Sequence, residues 1–288
     1  MPYLRLQNAD LNLTVSPSHG GGIVSFEAFG DPVLKPAPTP VSGPTDPASF
    51  VLVPYCNRIA QGRADFGDES LHLTPAIAGE LHALHGEGWI SKWEMTARSE
   101  ISAELTHRHK PSNGTWPWAF RATQKYELSS QSVTHRLEVQ NMSDRPMPGG
   151  LGFHPYFPRD TGDGFTARVG GRWQAGEDLL PTNHEKGSSD IYWPGGQLCL
   201  DQLLDHCFTG WDGKLTITRK NIKVSLAASK ELRLLHIYAP SGADFFCAEP
   251  VSHMPDALNR PGEPDQMQVL QPGEIFKASV SYLVEKSA

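Results

Sequence analysis

The chain has 288 residues and a formal net charge of -7 at pH 7, with 20% charged and 39% hydrophobic side chains. A chain of this length buries roughly three quarters of its surface, so it can form a sizeable core without disulfide or metal staples. The acidic balance and the lack of any Lys/Arg run argue against a nucleic-acid partner, because binding to a phosphate backbone depends on clustered basic side chains.

The N-terminal residues Met1 to Asp10 have polar residues between their apolar ones, so they lack the apolar core of a signal peptide. No run of 18 apolar residues indicates a membrane span, and we expect a cytoplasmic protein with no membrane partner. The cysteines are scattered without C-x-x-C spacing, which favours free thiols over a zinc knuckle or a disulfide framework. They are Cys56, Cys199, Cys207 and Cys247.

The first third of the chain predicts strands joined by turns. A glycine-rich turn separates two predicted strands, one with alternating apolar and polar residues over Tyr3 to Val15 and one in the apolar run Ile23 to Phe29. The proline-rich segment Pro36 to Asp46 is expected to cross the surface, and Gly62 to Leu73 is typical of a hairpin.

The middle and last thirds repeat this pattern. Alternating apolar residues over 101–109 and 133–139 predict two strands, and further short apolar runs follow to Leu283. No window has the apolar spacing of a long amphipathic helix. The chain contains no exact internal repeat, so a propeller is not predicted, and no linker-like block divides it. The sequence therefore predicts one domain over residues 1–288, an all-β fold built as a large antiparallel β-sandwich with few short helices.

The stretch Gly149 to Pro158 combines glycines, a strand-like run and one histidine, His154. Pro155 favours an extended backbone at His154, so its imidazole would stand off a sheet face. The glycines are expected to leave room for a ligand, and Tyr156 and Phe157 to form flat apolar walls. We interpret His154 as a catalytic acid; the plainer alternative is a satisfied core histidine at a strand end.

Two further segments carry candidate sugar-binding groups. Arg58, preceded by Asn57, follows an apolar strand, and its guanidinium fork suits two neighbouring hydroxyls; the alternative is a surface arginine. His82 and His85 lie three apart before Trp89. This spacing lacks a third metal ligand, so a sugar pocket explains it better: histidine donates to a hydroxyl or ring oxygen, and tryptophan offers a flat face to a pyranose.

Two carboxylates complete the candidate set. Asp205 precedes Cys207, Phe208 and Trp211 in a segment that we predict to be loop-like. Glu249 follows the apolar run that begins at Phe245, so it is expected at the end of a buried strand. Burial raises the pKa of a carboxyl group and makes it a better base near neutral pH.

With these segments in order, the chain resembles the aldose 1-epimerase (galactose mutarotase) family from its N-terminal strands to its C-terminal strand. The segments that carry the resemblance are Asn57-Arg58-Ile59, Leu84-His85-Gly86, Gly152-Phe153-His154-Pro155-Tyr156-Phe157, Asp205-His206-Cys207-Phe208, and Glu249-Pro250 with Pro255-Asp256-Ala257-Leu258-Asn259.

The resemblance implies a β-sandwich that binds a pyranose and interconverts its α and β anomers with no cofactor and no metal. It implies Glu249 as the base and His154 as the acid, with Arg58, His85 and Asp205 holding the sugar. On this basis activity would follow a bell in pH, with the acidic limb from Glu249 and the alkaline limb from His154, whose pKa Asp205 would raise.

Three other functions fit parts of the pattern. A hexose-6-phosphate 1-epimerase shares the chemistry, although a phosphate needs more Arg or Lys donors than Arg58 and Arg63 supply. A non-catalytic sugar-binding protein would not need both His154 and Glu249. A metal-dependent enzyme would use His82, His85, His154 and a carboxylate.

Overall fold

The structure, a computed structural model, describes residues 3–160, 162–193 and 203–287. Nearly all regular structure in these ranges is β-strand, and every strand pairing is antiparallel. This confirms the all-β prediction. Short 3₁₀ helices lie at Ala60–Gly62, Gly88–Ile90 and Ala257–Asn259. Within the same ranges, no helix is long and apolar enough to span a membrane.

The first half of the described chain supplies strands β1 to β13. Their bounds are β1 Leu4–Gln7, β2 Leu11–Ser16, β3 Gly22–Ala28, β4 Asp31–Pro32, β5 Ser49–Leu52, β6 Arg58–Ile59, β7 Arg63–Phe66, β8 Glu69–His72, β9 Ala83–Leu84, β10 Glu94–Arg98, β11 Ser102–His109, β12 Phe120–Leu128 and β13 Ser132–Asn141.

The second half supplies strands β14 to β24. Their bounds are β14 Met147–Gly149, β15 Gly152–Pro158, β16 Gly164–Ala175, β17 Pro181–Trp193, β18 Leu204–Thr209, β19 Lys214–Thr218, β20 Ile222–Ala228, β21 Leu234–Ala239, β22 Phe245–Val251, β23 Gln268–Leu270 and β24 Ile275–Lys286.

One large sheet runs through most of these strands. Neighbouring strands follow the order β10, β11, β12, β13, β24, β20, β19, β16, β18, β21, β22, β15, β5, β3, β2, β1. The C-terminal strand β24 lies between β13 and β20, so both ends of the chain take part in the sheet. Two-stranded ribbons, β6 with β9 and β7 with β8, lie beside it; the second is the predicted hairpin.

The core follows from side chains that alternate along each strand. In β12 every second residue from Phe120 to Leu128 is buried, and β13 buries Val133, His135, Leu137 and Val139. The register places Tyr126 opposite His135, and their rings stack with centroids 4.0 Å apart. The predicted strand pattern in this region is confirmed.

Four neighbouring strands align one row of side chains. Phe50 of β5 pairs with His154 of β15, and His236 of β21 pairs with Glu249 of β22. The β15–β22 register pairs Gly152 with Val251 and Tyr156 with Cys247, which sets His154 opposite Glu249. Directly opposed residues share a face of the sheet, so this register brings the side chains of Phe50, His154, Glu249 and His236 together.

The loop predicted around Asp205 is wrong. Residues Leu204–Thr209 form strand β18, which pairs with β16 on one side and with β21 on the other. Asp205 and Cys207 are buried, while His206 between them is partly exposed. An interior strand that carries polar residues at inward positions lacks the apolar alternation by which strands are identified from sequence.

Candidate active site

A cleft of about 550 Å³ lies over the row that β5, β15, β22 and β21 form. All seven predicted site residues border it: Asn57, Arg58, His85, Trp89, His154, Asp205 and Glu249. Clefts of a few hundred cubic ångströms with a few converging polar groups are typical of small-molecule sites.

His154 lies on the floor of the cleft between aromatic rings. Its imidazole stacks on Phe50 and on Tyr156, with centroids 4.4 and 5.0 Å away. Tyr156 therefore forms the predicted wall, whereas Phe157 points to the opposite face of the sheet and packs on Phe246. Burial lowers the pKa of His154 to about 3, and the smaller effect of Asp205 in the opposite direction does not offset it. The imidazole is neutral near pH 7.

Glu249 lies across the strand pair from His154, and its Oε1 is 3.3 Å from Nε2 of that histidine. The carboxyl group is 2% exposed, and Oε2 has no hydrogen-bond partner among the described residues. Burial raises the pKa of Glu249 to about 8, so the carboxyl group holds a proton at neutral pH. Glu249 and His154 together thus hold one proton over a wide pH range.

His85 is oriented by the backbone of Asn57, the residue that precedes β6. Its ring Nδ1 accepts the backbone N–H of Asn57 at 3.1 Å, and the backbone N–H of His85 donates to the Asn57 carbonyl at 2.9 Å. With Nδ1 accepting, the hydrogen of the neutral ring is on Nε2, so that nitrogen is a donor. Both residues have left-handed backbone conformations, with φ of 59° and 58°. Such conformations in non-glycine residues often mark functional sites.

Trp89 lies behind His85 instead of facing the cleft openly. The indole is fully buried, donates to the Gly86 carbonyl at 2.9 Å, and meets the His85 ring edge-on at 5.5 Å. Its other close ring neighbour is Phe50, at 5.2 Å. The prediction that Trp89 offers a flat face to a sugar is therefore wrong, because other rings already cover it.

Arg58, Asp205 and His236 form a charged cluster at one side of the cleft. Oδ1 of Asp205 is 2.6 Å from Nε2 of His236, and Oδ2 is 3.5 Å from Nη1 of Arg58. Burial alone would raise the pKa of Asp205, but the His236 hydrogen bond and nearby positive charges lower it. Asp205 is therefore an anion between His236 and the Arg58 guanidinium, and Arg58 keeps part of its fork for a ligand.

The segment after Glu249 fixes the backbone of Arg58. The Asp256 N–H donates to the Arg58 carbonyl at 2.8 Å, and Oδ1 of Asp256 accepts the Ala60 N–H at 2.9 Å and an Asn259 N–H at 2.7 Å. This gives the Pro255 to Asn259 part of the sequence pattern a positional role.

The glycines before His154 make no room for a ligand. A β-carbon at Gly150 would lie 2.3 Å from His253, and one at Gly152 would lie 2.8 Å from Sγ of Cys56. The space above both glycines is filled by protein, so that expectation is wrong. These glycines allow close packing beneath the site.

His82 does not join a metal set with His85 and His154. Its Nδ1 accepts the N–H of Gln61 at 2.9 Å, and it does not border the cleft. Over the described ranges, no three His, Cys, Asp or Glu side chains converge as metal ligands. Cys56, Cys207 and Cys247 are buried free thiols, as predicted; Cys199 lies outside the described residues.

The aldose 1-epimerase family profile matches residues 2–283. The chain belongs to the aldose 1-epimerase family. YphB, an uncharacterized protein of Escherichia coli K12, is 29% identical over 296 residues, which cover 99% of each chain. A crystal structure of an aldose 1-epimerase family protein from the same strain has a TM-score of 0.90 and 28% identity over 99% of each chain.

More distant structures show the same fold. The GalM/aldose epimerase homologue of Caenorhabditis elegans has a TM-score of 0.83 at 17% identity, covering 100% of this chain and 99% of its own. A galactose mutarotase-like protein of Clostridium acetobutylicum has a TM-score of 0.83 at 20% identity, covering 98% and 95%. The predicted galactose mutarotase-like architecture is thus confirmed.

Two residues of the floor in this aldose 1-epimerase family member, Phe50 and His236, were not predicted from the sequence. Both lie in short apolar runs that predict only strands. The available signal was the period of two along β21, which places polar His236 on one face with Leu234. Its relation to Asp205 depends on strand pairing, which one sequence does not reveal.

Proposed function

We propose that this protein is a cofactor-independent aldose 1-epimerase that interconverts the α and β anomers of a free aldose. The observation that carries the proposal is the Glu249–His154 pair, with Oε1 and Nε2 3.3 Å apart on the floor of the cleft. A non-catalytic sugar-binding site has no need for two buried titrating groups in contact.

In the proposed reaction, Glu249 takes the proton from the C1 hydroxyl and His154 gives a proton to the ring oxygen. The bond from C1 to the ring oxygen breaks, and an open-chain aldehyde forms. Rotation about C1–C2 and closure by the reverse proton transfers yield the other anomer. Each well-placed proton transfer accelerates the reaction by roughly a hundred- to ten-thousand-fold.

The reactive form requires the shared proton on His154 and a negative charge on Glu249. The resting site holds that proton on Glu249, because burial raises the pKa of the carboxyl group and lowers that of the imidazole. Transfer across the 3.3 Å contact generates the reactive form without exchange with solvent. After ring closure the pair again holds one proton, so the cycle balances.

The remaining polar groups suit sugar hydroxyls. Arg58 and the Nε2 donor of His85 offer hydrogens, and Asp205 accepts them. Tyr156, Tyr238 and Phe245 give the cleft an aromatic side, with centroids of neighbouring rings 5.2 and 6.5 Å apart. Apolar rings next to fixed polar groups match a pyranose, which has C–H faces and hydroxyl edges.

The charges of the cleft favour a free sugar over a phosphorylated one. Among the described residues that border it, the lysine and arginine cations are Lys35, which pairs with Asp244, and Arg58, which pairs with Asp205. The carboxylates Asp46 and Glu80 also line the cleft. A phosphate group would need unpaired cationic donors at this position.

The test is polarimetry on freshly dissolved α-glucose, α-galactose and other aldoses, each compared with its 6-phosphate where that exists. We expect catalysed mutarotation of at least one free aldose and a kcat/KM at least about tenfold lower for its 6-phosphate, from the loss of about 1.4 kcal/mol or more. Absence of catalysis with every sugar would reject the function. Preference for the phosphates would support a hexose-6-phosphate 1-epimerase instead.

A further inference from the structure

We propose that His236 is a positioning residue of this site, whose imidazolium holds Asp205 and supplies the positive charge opposite Glu249. The inference rests on the proposed epimerase function, because it concerns how the base of that reaction is kept ready. His236 enters the site through the pairing of β21 with β18 and β22.

The contacts of His236 assign its tautomer. Nε2 lies 2.6 Å from Oδ1 of Asp205, and an ionised carboxylate only accepts hydrogen bonds, so Nε2 carries a hydrogen. The amide nitrogen of Asn57, at 3.4 Å from the same Nε2, is therefore a neighbour and not a donor to it. Nδ1 is buried without a partner among the described residues. Asp205 occupies Nε2 and Nδ1 is inaccessible, so neither nitrogen can reach the sugar, which makes His236 a positioning residue.

The charge balance of the cluster gives His236 its function. Asp205 is negative and Arg58 is positive, so these two alone cancel. A positive His236 leaves one unit of charge unmatched, and the ionised form of Glu249, its direct cross-strand neighbour, matches it. When the Glu249–His154 pair loses its shared proton to solvent, the cluster is then neutral, whereas without the imidazolium of His236 it would be net negative in a buried site.

Burial alone would lower the pKa of His236, but the hydrogen bond to Asp205 and the charges of Asp205 and Glu249 outweigh it and raise that pKa. In return, the positive charge of His236 lowers the pKa of Glu249, against the larger effect of burial. The titratable and charged groups that face His236 from the surrounding elements are Asp205, Glu249, Arg58, His85 and His154, whereas His206 acts on it electrostatically from the opposite face of β18.

The experiment compares wild type with His236→Gln, whose amide still donates to Asp205 but carries no charge. The matched control is His206→Gln, on the same strand as Asp205 but with Nδ1 of the native ring bound to the Ala175 N–H at 3.3 Å, outside the cleft. Two titrations are recorded: the alkaline limb of kcat/KM, and the infrared carboxyl band of Glu249, assigned by its loss in Glu249→Gln.

We expect both midpoints to move upward by roughly one pH unit in His236→Gln, which corresponds to a tenfold change in the ionisation constant. His206→Gln should leave them within about 0.3 units, since its partner lies outside the site. Unmoved midpoints in folded His236→Gln would overturn the inference, and so would an equal loss of activity at every pH.

A measurement on the wild type covers the case in which His236→Gln does not fold. Nitrogen-15 NMR of the histidine side chains should show the His236 ring doubly protonated at pH 7.5; a neutral ring would overturn the inference. The infrared and NMR titrations need no substrate. A protein that turns over no aldose would therefore refute the proposed function while these two measurements still decide the role of His236.

Discussion

At the scale of single residues, the site is organised by burial more than by charge. His154 and Glu249 are 6% and 2% exposed, and loss of hydration favours the neutral form of each. This reverses the order expected from free side chains, in which a glutamate loses its proton at a much lower pH than a histidine does. Asp205 does act to raise the pKa of His154, as expected from the sequence, but burial has the larger effect and the pKa falls to about 3.

The reversed order assigns the acidic limb of the pH profile to His154 and the alkaline limb to Glu249. The pair holds one proton between the pKa of His154, about 3, and that of Glu249, about 8. Above about pH 8 the pair loses that proton, none remains for the ring oxygen, and kcat/KM should fall roughly tenfold per pH unit.

The measurement is a pH profile of kcat/KM, corrected for the acid- and base-catalysed background of the sugar. A rate that instead rises through pH 8 would show that Glu249 acts as a base independent of the proton on His154.

At the scale of elements, the glycine turn between β2 and β3 is fixed by side chains from β12. The Tyr126 hydroxyl lies 2.7 Å from the Gly21 carbonyl, and an amide hydrogen of Gln124 donates to the Gly20 carbonyl at 2.9 Å. His135 completes the network by donating from Nε2 to Oε1 of Gln124 at 3.0 Å. These groups are buried, so each carbonyl depends on its donor from the protein.

Replacement of Tyr126 by phenylalanine removes the donor to Gly21 and leaves a buried carbonyl unpaired. We expect the free energy of unfolding to fall by roughly 1–3 kcal/mol in urea titrations. The control is Tyr3→Phe, since Tyr3 is exposed at the edge of the fold. Equal stability of the two variants would show that the turn does not depend on this hydrogen bond.

At the scale of the whole molecule, the sheet brings together residues that are distant in sequence. The floor of the cleft takes one side chain from each of β5, β15, β22 and β21, which span the chain from Phe50 to Glu249. The predicted aldose 1-epimerase resemblance and the antiparallel architecture are confirmed by the family match and by the fold.

Local patterns carried most of the prediction. Alternation identified β12 and β13, and the segments around Arg58, His85, His154 and Glu249 were recognised because each has a distinctive local neighbourhood. What local sequence does not contain is strand pairing. The strand at Asp205, the role of His236 and the covered face of Trp89 all follow from pairing or packing with distant segments.

The most direct test of the account is the turnover and sugar affinity of Glu249→Gln. The amide keeps the shape of the side chain but does not exchange the C1 proton, so we expect kcat to fall at least about a hundredfold. The dissociation constant of the sugar, measured by calorimetry, should change by less than about fivefold, or roughly 1 kcal/mol.

Glu87→Gln is the matched control, since Glu87 is a partly buried glutamate whose pKa burial raises to about 7 and which lies outside the cleft. Near-complete loss of mutarotation in Glu249→Gln alone, with binding retained, is the predicted result. Retention of more than about a tenth of the wild-type kcat by folded Glu249→Gln would contradict the assignment of Glu249 as the catalytic base.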